Sequence, residues 1–186
     1  MKLELPGNVV ARAPEPADLG AVIEVVAASE LAATGIVDVT LEDVRSDWQR
    51  PSFDLAKDAV VVTDGGRLVA YAEVFAGRAW VHVHPEFRGR GIGAALLRWT
   101  ETRARDLGSE KLGQTVSDDE PSAAALLVSN GYAVRWHTWV FHKALDDELA
   151  EPTLPAGLTL RTFEAGRDDR ATFELIDTAF SDWPDR

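Results

Sequence analysis

The segment that most restricts the fold is Val83-His84-Pro85-Glu86-Phe87-Arg88-Gly89-Arg90-Gly91-Ile92-Gly93. An apolar run, Ala79 to His84, leads into it, and an amphipathic run, Gly91 to Leu107, leads out. That order predicts a strand, a glycine turn and a helix. Glycines at 89, 91 and 93 remove side chains where the chain turns and where a ligand would approach the main chain. The first N–H groups of a helix lack intrahelical partners and, with the macrodipole, favour an anion. Arg88 and Arg90 add donors suited to phosphate oxygens. The corner is therefore expected to hold a phosphorylated ligand.

The flanking patterns predict a mixed α/β fold. Val9 to Ala13 reads as a short strand, and a helix capped by Asp18 follows to about Ser29. Thr40 with Asp43 three residues later starts a second helix, Leu41 to Gln49, before Pro51. Ala59–Thr63 and Arg67–Phe75 form a hairpin about Asp64-Gly65-Gly66. Lys111–Val116 is a strand, Pro121–Ser129 a helix, and Tyr132–Arg135 and Trp136–Ala144 are closing strands. The expectation is a mixed sheet of about seven strands flanked by about four helices, complete within residues 1–145.

An acidic linker with two prolines, 146–156, comes next. Residues 157–186 then repeat the opening: a strand from Leu158 to Phe163 and a helix from Asp168 to Phe180. Arg12, Glu15, Asp18 and Glu24 match Arg161, Glu164, Asp168 and Glu174. These two elements alone bury no core, so dimerisation with a second copy stays open.

Composition narrows the ligand. With 31 acidic and 19 basic residues the net charge is −12, which repels a phosphate backbone and argues against nucleic acid as a partner. The basic corner in an acidic chain suits a small phosphorylated molecule. There are no cysteines, which removes disulfides, a thiol nucleophile and thiolate metal sites. No histidine pair has the spacing of a metal site, and none is expected. No apolar run approaches the ~20 residues of a membrane span, and no export signal is visible, so a cytoplasmic location is expected.

Gly89-x-Gly91-x-x-Ala94 fits the loose dinucleotide pattern. The unit follows an antiparallel meander, however, rather than opening the fold. Val83-x-Pro85-x-x-Arg88-Gly89-x-Gly91-Ile92-Gly93-x-x-Leu96-Leu97 resembles the coenzyme A motif of the GCN5-related N-acetyltransferases, and the likeness covers most of residues 8–144. The resemblance implies that main-chain groups of Val81, His82 and Val83 pair with a pantetheine arm. It also implies that N–H groups of Gly89, Arg90, Gly91, Ile92, Gly93 and Ala94, helped by Arg88, hold the pyrophosphate of acetyl-CoA. The acceptor would be a small-molecule amine attacking directly.

Catalytic candidates are Glu73 and His82, with His84 beside them, as general base. Tyr132 or Ser129 would serve as the acid, because the family's usual tyrosine position is Leu127. The asparagine that often opens the last helix is Glu120. The tail resembles the start of a second lobe in a tandem member of the mycothiol synthase type. Three readings follow: an acetyltransferase; a non-catalytic acyl-CoA-binding or regulatory half; and, on the loose glycine pattern, a nucleotide-binding oxidoreductase. Acceptor choice is expected to lie in residues 34–48.

Overall fold

The computed structural model describes residues 3, 5–141, 143–145 and 153–182. Two compact units result, Met1–Trp136 and His137–Arg186.

The first unit is built on the hairpin of β2 (Ala59–Asp64) and β3 (Arg67–Phe75). Both strands are apolar on either face, so both faces require cover. β1 (Val10–Arg12) pairs with β2, and β4 (Arg78–Val83) pairs with β3. The sheet is antiparallel in the order β1-β2-β3-β4. Side chains alternate across it with period two. Val61 and Tyr71 meet α1 (Leu19–Thr34) and α2 (Leu41–Trp48) through Val22, Val25, Val26 and Val44. Val60, Val62, Ala70 and Ala72 meet Ile92 and Leu96 of α4 (Ile92–Asp106) on the other side.

Local signals fix the helix ends. The Thr40 hydroxyl accepts from the Asp43 N–H, and the Asp43 carboxylate returns to the Thr40 N–H, closing the expected capping box on α2. Asp18 does not cap α1. Its carboxylate takes the Arg12 guanidinium in two bonds of 2.6 and 2.7 Å and the Glu15 N–H at 2.7 Å. A charge-assisted pair outcompetes a neutral cap, and a 3-10 turn at Pro16–Asp18 starts the helix instead. A further short helix, α3 (Leu55–Asp58), precedes β2. α5 (Pro121–Ser129) has the predicted bounds.

The expected strand count needs correction: the described residues hold four strands and six helices. Lys111–Val116 makes one parallel bridge, Arg78 to Gly113. It then turns off, and the Ser117 hydroxyl donates to the Ala33 carbonyl at the end of α1. Past Arg78, no strand pairs with the outer edge of β4 among the described residues. Without a strand to template them, the described residues of Tyr132–Arg135 and Trp136–Ala144 form no ladder. His142 lies outside the described residues, and Trp139 and Phe141 are 77% and 90% exposed.

In the second unit Leu158–Phe163 is likewise irregular, and α6 (Asp169–Ala179) buries no side chain. Residues 146–152 of the expected linker lie outside the described residues. The opening of this unit nonetheless repeats the hydrogen bonds of the first. Arg161 binds Asp168 at 2.5 and 2.7 Å, and the Glu164 N–H donates to the same carboxylate at 2.9 Å. In both copies the arginine also donates to the next residue's carbonyl at 3.0 Å. The Arg161 bonds hold the Asp168 carboxyl down to about 2. No helix among the described residues is long and apolar enough to cross a membrane.

A buried ion pair pins α4 to the end of α3, one residue before β2. Arg103 reaches one Asp58 oxygen at 2.7 and 2.6 Å, while the other accepts the Asp54 N–H. Asp58 is 2% exposed, so removing it strands a cation. Asp58→Ala should cost about 3 kcal/mol, read as a lower urea midpoint for the first unit. A midpoint unchanged from wild type would show that the pair is not holding the helix.

Candidate active site

β4 is the element from which the site is built. Its cross-strand partners are fixed by register: Tyr71 opposite His82, and Glu73 opposite Trp80. These four side chains share the sheet face that α1 and α2 cover, whereas Val81 and Val83 join the cluster on the α4 side. The main chain of Val81, His82 and Val83 thus runs along the open edge left by the diverging 111–116 segment.

β4 ends in a 3-10 turn, Pro85–Phe87, and the chain then enters the glycine corner. Gly89 and Gly91 have φ of 74° and 83°, left-handed values that cost a side-chain-bearing residue energy. A Cβ at Gly89 would point into open space, and one at Gly91 would meet Pro6 at 3.4 Å. Gly89, Arg90 and Gly91 are exposed, Gly93 and Ala94 half-buried, and Ile92 is sealed into the core as an anchor. The first main-chain bond of the helix is Ala95 N–H to the Gly91 carbonyl. No described group accepts from the N–H groups of Gly89 through Ala94. This bare row at a helix start fits a diphosphate.

The two arginines are used differently from each other. Arg88 donates to the Val83 carbonyl at 3.2 Å and to the Ser29 hydroxyl at 3.1 Å, and pairs with Glu120 at 2.6 Å. It is a clamp joining β4, α1 and the start of α5, and Glu120 is its counter-charge. Arg90 is more exposed, stacking on the Phe87 ring at 4.5 Å and donating to the Glu86 carbonyl.

A cavity of about 280 Å³ lies beside β4. His82, Tyr71, Glu73 and Trp80 line it from the sheet, Glu30 from α1, and Asp38, Asp43 and Asp47 from the segment that includes α2. No described group hydrogen-bonds the His82 imidazole. Burial pushes its pKa below the ordinary 6.5, with the Glu30 charge opposing that shift and Arg88 adding to it. It is therefore a neutral base near pH 7.

Glu73 is committed elsewhere. Its carboxylate accepts the Tyr71 hydroxyl in a short bond and Arg50 at 3.4 Å, and Trp48 donates to the Tyr71 oxygen at 2.8 Å. Burial raises the Glu73 carboxyl, and burial with the Glu73 charge raises the Tyr71 hydroxyl far more. The remaining candidates stand apart. His84 is held by Arg67 and the Glu86 N–H. Tyr132 meets Gln114 at 3.5 Å and does not line the cavity, and its hydroxyl is raised by burial.

Sequence reasoning missed the acidic lining from α2 and the Trp48–Tyr71–Glu73 chain. Asp43 and Asp47, four apart and beside Val44, were the available signal for a helix face turned towards a site.

The chain matches the model of the acetyltransferase (GNAT) family over residues 28–132. It is 41% identical over 104 residues to a mycothiol acetyltransferase of Salinispora arenicola, covering 56% of this chain and 33% of the relative. It is 30% identical over 186 aligned positions to one of a Parafrankia species, covering 94% of this chain and 56% of the relative. The chain thus spans between a third and just over half of these curated relatives. Among solved structures, a GCN5-related N-acetyltransferase from Sphaerobacter thermophilus superposes with a TM-score of 0.73 at 32% identity, over 95% of this chain and 60% of that one. A phosphinothricin acetyltransferase from Sinorhizobium meliloti, in complex with AcCoA, shares the fold at a TM-score of 0.56 and 23% identity, over 70% of this chain and 77% of that one. The bare glycine corner, the open edge of β4 and the family match agree, and the chain belongs to the GNAT acetyltransferase family.

Proposed function

We propose that the first unit binds acetyl-CoA and transfers its acetyl group to the amine of a small molecule. The observation that carries this reading is the row of unpaired N–H groups from Gly89 to Ala94 beside the open β4 edge. The cofactor supplies an activated thioester. The N–H row, with Arg90 at its rim, would hold the diphosphate, and the main chain of Val81 to Val83 would pair with the pantetheine amides. Arg88 keeps the corner registered against α1 and α5.

In the transfer, the amine nitrogen forms a bond to the acetyl carbon, the carbon–sulfur bond breaks, and coenzyme A leaves as the thiolate. A β4 N–H near Val83 donates to the oxyanion as it develops. His82 is assigned as the general base: it is neutral, unpaired and on the cavity wall, and it takes the proton that the amine loses. Glu73 positions Tyr71 and Arg50 rather than accepting that proton. With Leu127 at the family's tyrosine position and Tyr132 outside the cavity, the thiolate leaves without an acid, which a thiol pKa of about 8.5 tolerates.

The second reading, a lobe that binds acyl-CoA without turnover, is favoured by that missing acid. The repeated Arg161–Glu164–Asp168 bonds support a related proposal, that residues 157–186 open a second lobe of the same kind.

Two experiments divide these readings. Gly91→Asp puts bulk and negative charge where the diphosphate would sit and should abolish acetyl-CoA binding by calorimetry; unaltered affinity would remove the site. With an accepted amine, kcat/KM should fall as pH drops through the depressed His82 pKa, below 6.5, because protonation removes the base. His82→Ala should lower kcat and erase that acidic limb, while a limb kept intact would acquit the histidine. Acetyl-CoA binding with no thiol release from any amine would favour the non-catalytic lobe.

A further inference from the structure

The cavity beside β4 carries more negative charge than amine capture explains. Glu30, Asp38, Asp43, Asp47 and Glu73 all line it, and of the nearby cations Arg50 is held between Asp47 and Glu73 while Arg88 acts on His82. The attacking nitrogen must be neutral when it reacts. Carboxylates around it favour its ammonium form and so oppose deprotonation. A field of this sign helps only if it grips a positive charge that the acceptor keeps throughout the reaction.

Most of these carboxylates have structural duties. Glu30 accepts the N–H groups of Asp38 and Val39 at 2.9 and 3.0 Å, Asp43 closes the cap on α2, and Asp47 pairs with Arg50. Asp38 differs. Its main chain is pinned by Glu30, but its carboxylate has no hydrogen-bond donor or cation among the described residues. It is exposed, at the mouth, whereas His82 is more enclosed and also lacks a partner. No three carboxylate or imidazole groups among the described residues converge as a metal ligand set. The charge is therefore spread along the cavity instead of focused on one point, which suits an extended organic cation.

We infer that the cavity is a subsite for an acceptor with two amino groups, one reacting beside His82 and the other held as a cation by Asp38 at the mouth. This rests on the transferase reading for the identity of the first end only. Amino acids would be excluded, because their carboxylate would face the same acidic wall. The volume of about 280 Å³ suits a small acceptor.

The test compares 1,4-diaminobutane, butylamine and 4-aminobutanoate by calorimetry against the coenzyme A-saturated chain at low salt, where no acetyl group can be transferred, with thiol release from acetyl-CoA followed separately. The diamine should bind about tenfold tighter than the monoamine, with the zwitterion weakest. Asp38→Asn should bring the diamine-to-monoamine ratio towards one, and Asp38→Lys should turn preference towards 4-aminobutanoate. Equal binding of all three, or a ratio indifferent to Asp38, would overturn the subsite. Diamine selectivity without thiol release would leave the subsite standing and remove the transferase reading. Thiol release without diamine selectivity would do the reverse.

Discussion

The guanidinium of Arg88 is the tie on which the arrangement of the site depends. One side chain satisfies the carbonyl at the end of β4, the Ser29 hydroxyl of α1 and the carboxylate before α5. The glycine corner follows Arg88 directly in the chain, and the Arg88 charge also acts on His82 of the cavity wall. A lysine there would offer a point charge in place of the planar fork, and would not reach three directions at once. Glu120, which departs from the family's usual asparagine, is explained by the same contact. The sequence shows a charge where a neutral amide is common, and the structure shows the cation that it serves.

The hairpin of β2 and β3 was legible because its run of valines and alanines asks for cover on both faces, and the helices that supply it carry capping and stop residues of their own. The glycine corner was legible for a similar reason, since few other tasks require alternating glycines at a helix start. The missing strands were not. Lys111–Val116 and Tyr132–Ala144 have acceptable β composition, but a strand is a pairing as much as a propensity. The 111–116 segment leaves its neighbour after one bridge. What reads as a lost strand is the opening that leaves β4 free to pair with something else.

The candidate site was legible only in part. Alternation could group Glu73 with Tyr71 and His82 with His84, yet which of them was spoken for depended on the strand register and on Arg50 and Trp48, brought in from other elements. Arg88 and Arg90 look alike in sequence and differ in space: one is internal rigging and the other sits at the rim. Of the acidic wall only the Asp43 and Asp47 spacing was legible, because its carboxylates come from two helices, a loop and a strand whose convergence is tertiary.

The indole of Trp48 donates to the Tyr71 hydroxyl, whose ring forms part of the cavity wall. Indole emission responds to the polarity and charge of its immediate surroundings, so a change at that phenol alters the light the tryptophan gives off. The fold thus carries its own optical gauge, wired to the compartment where an acceptor would rest.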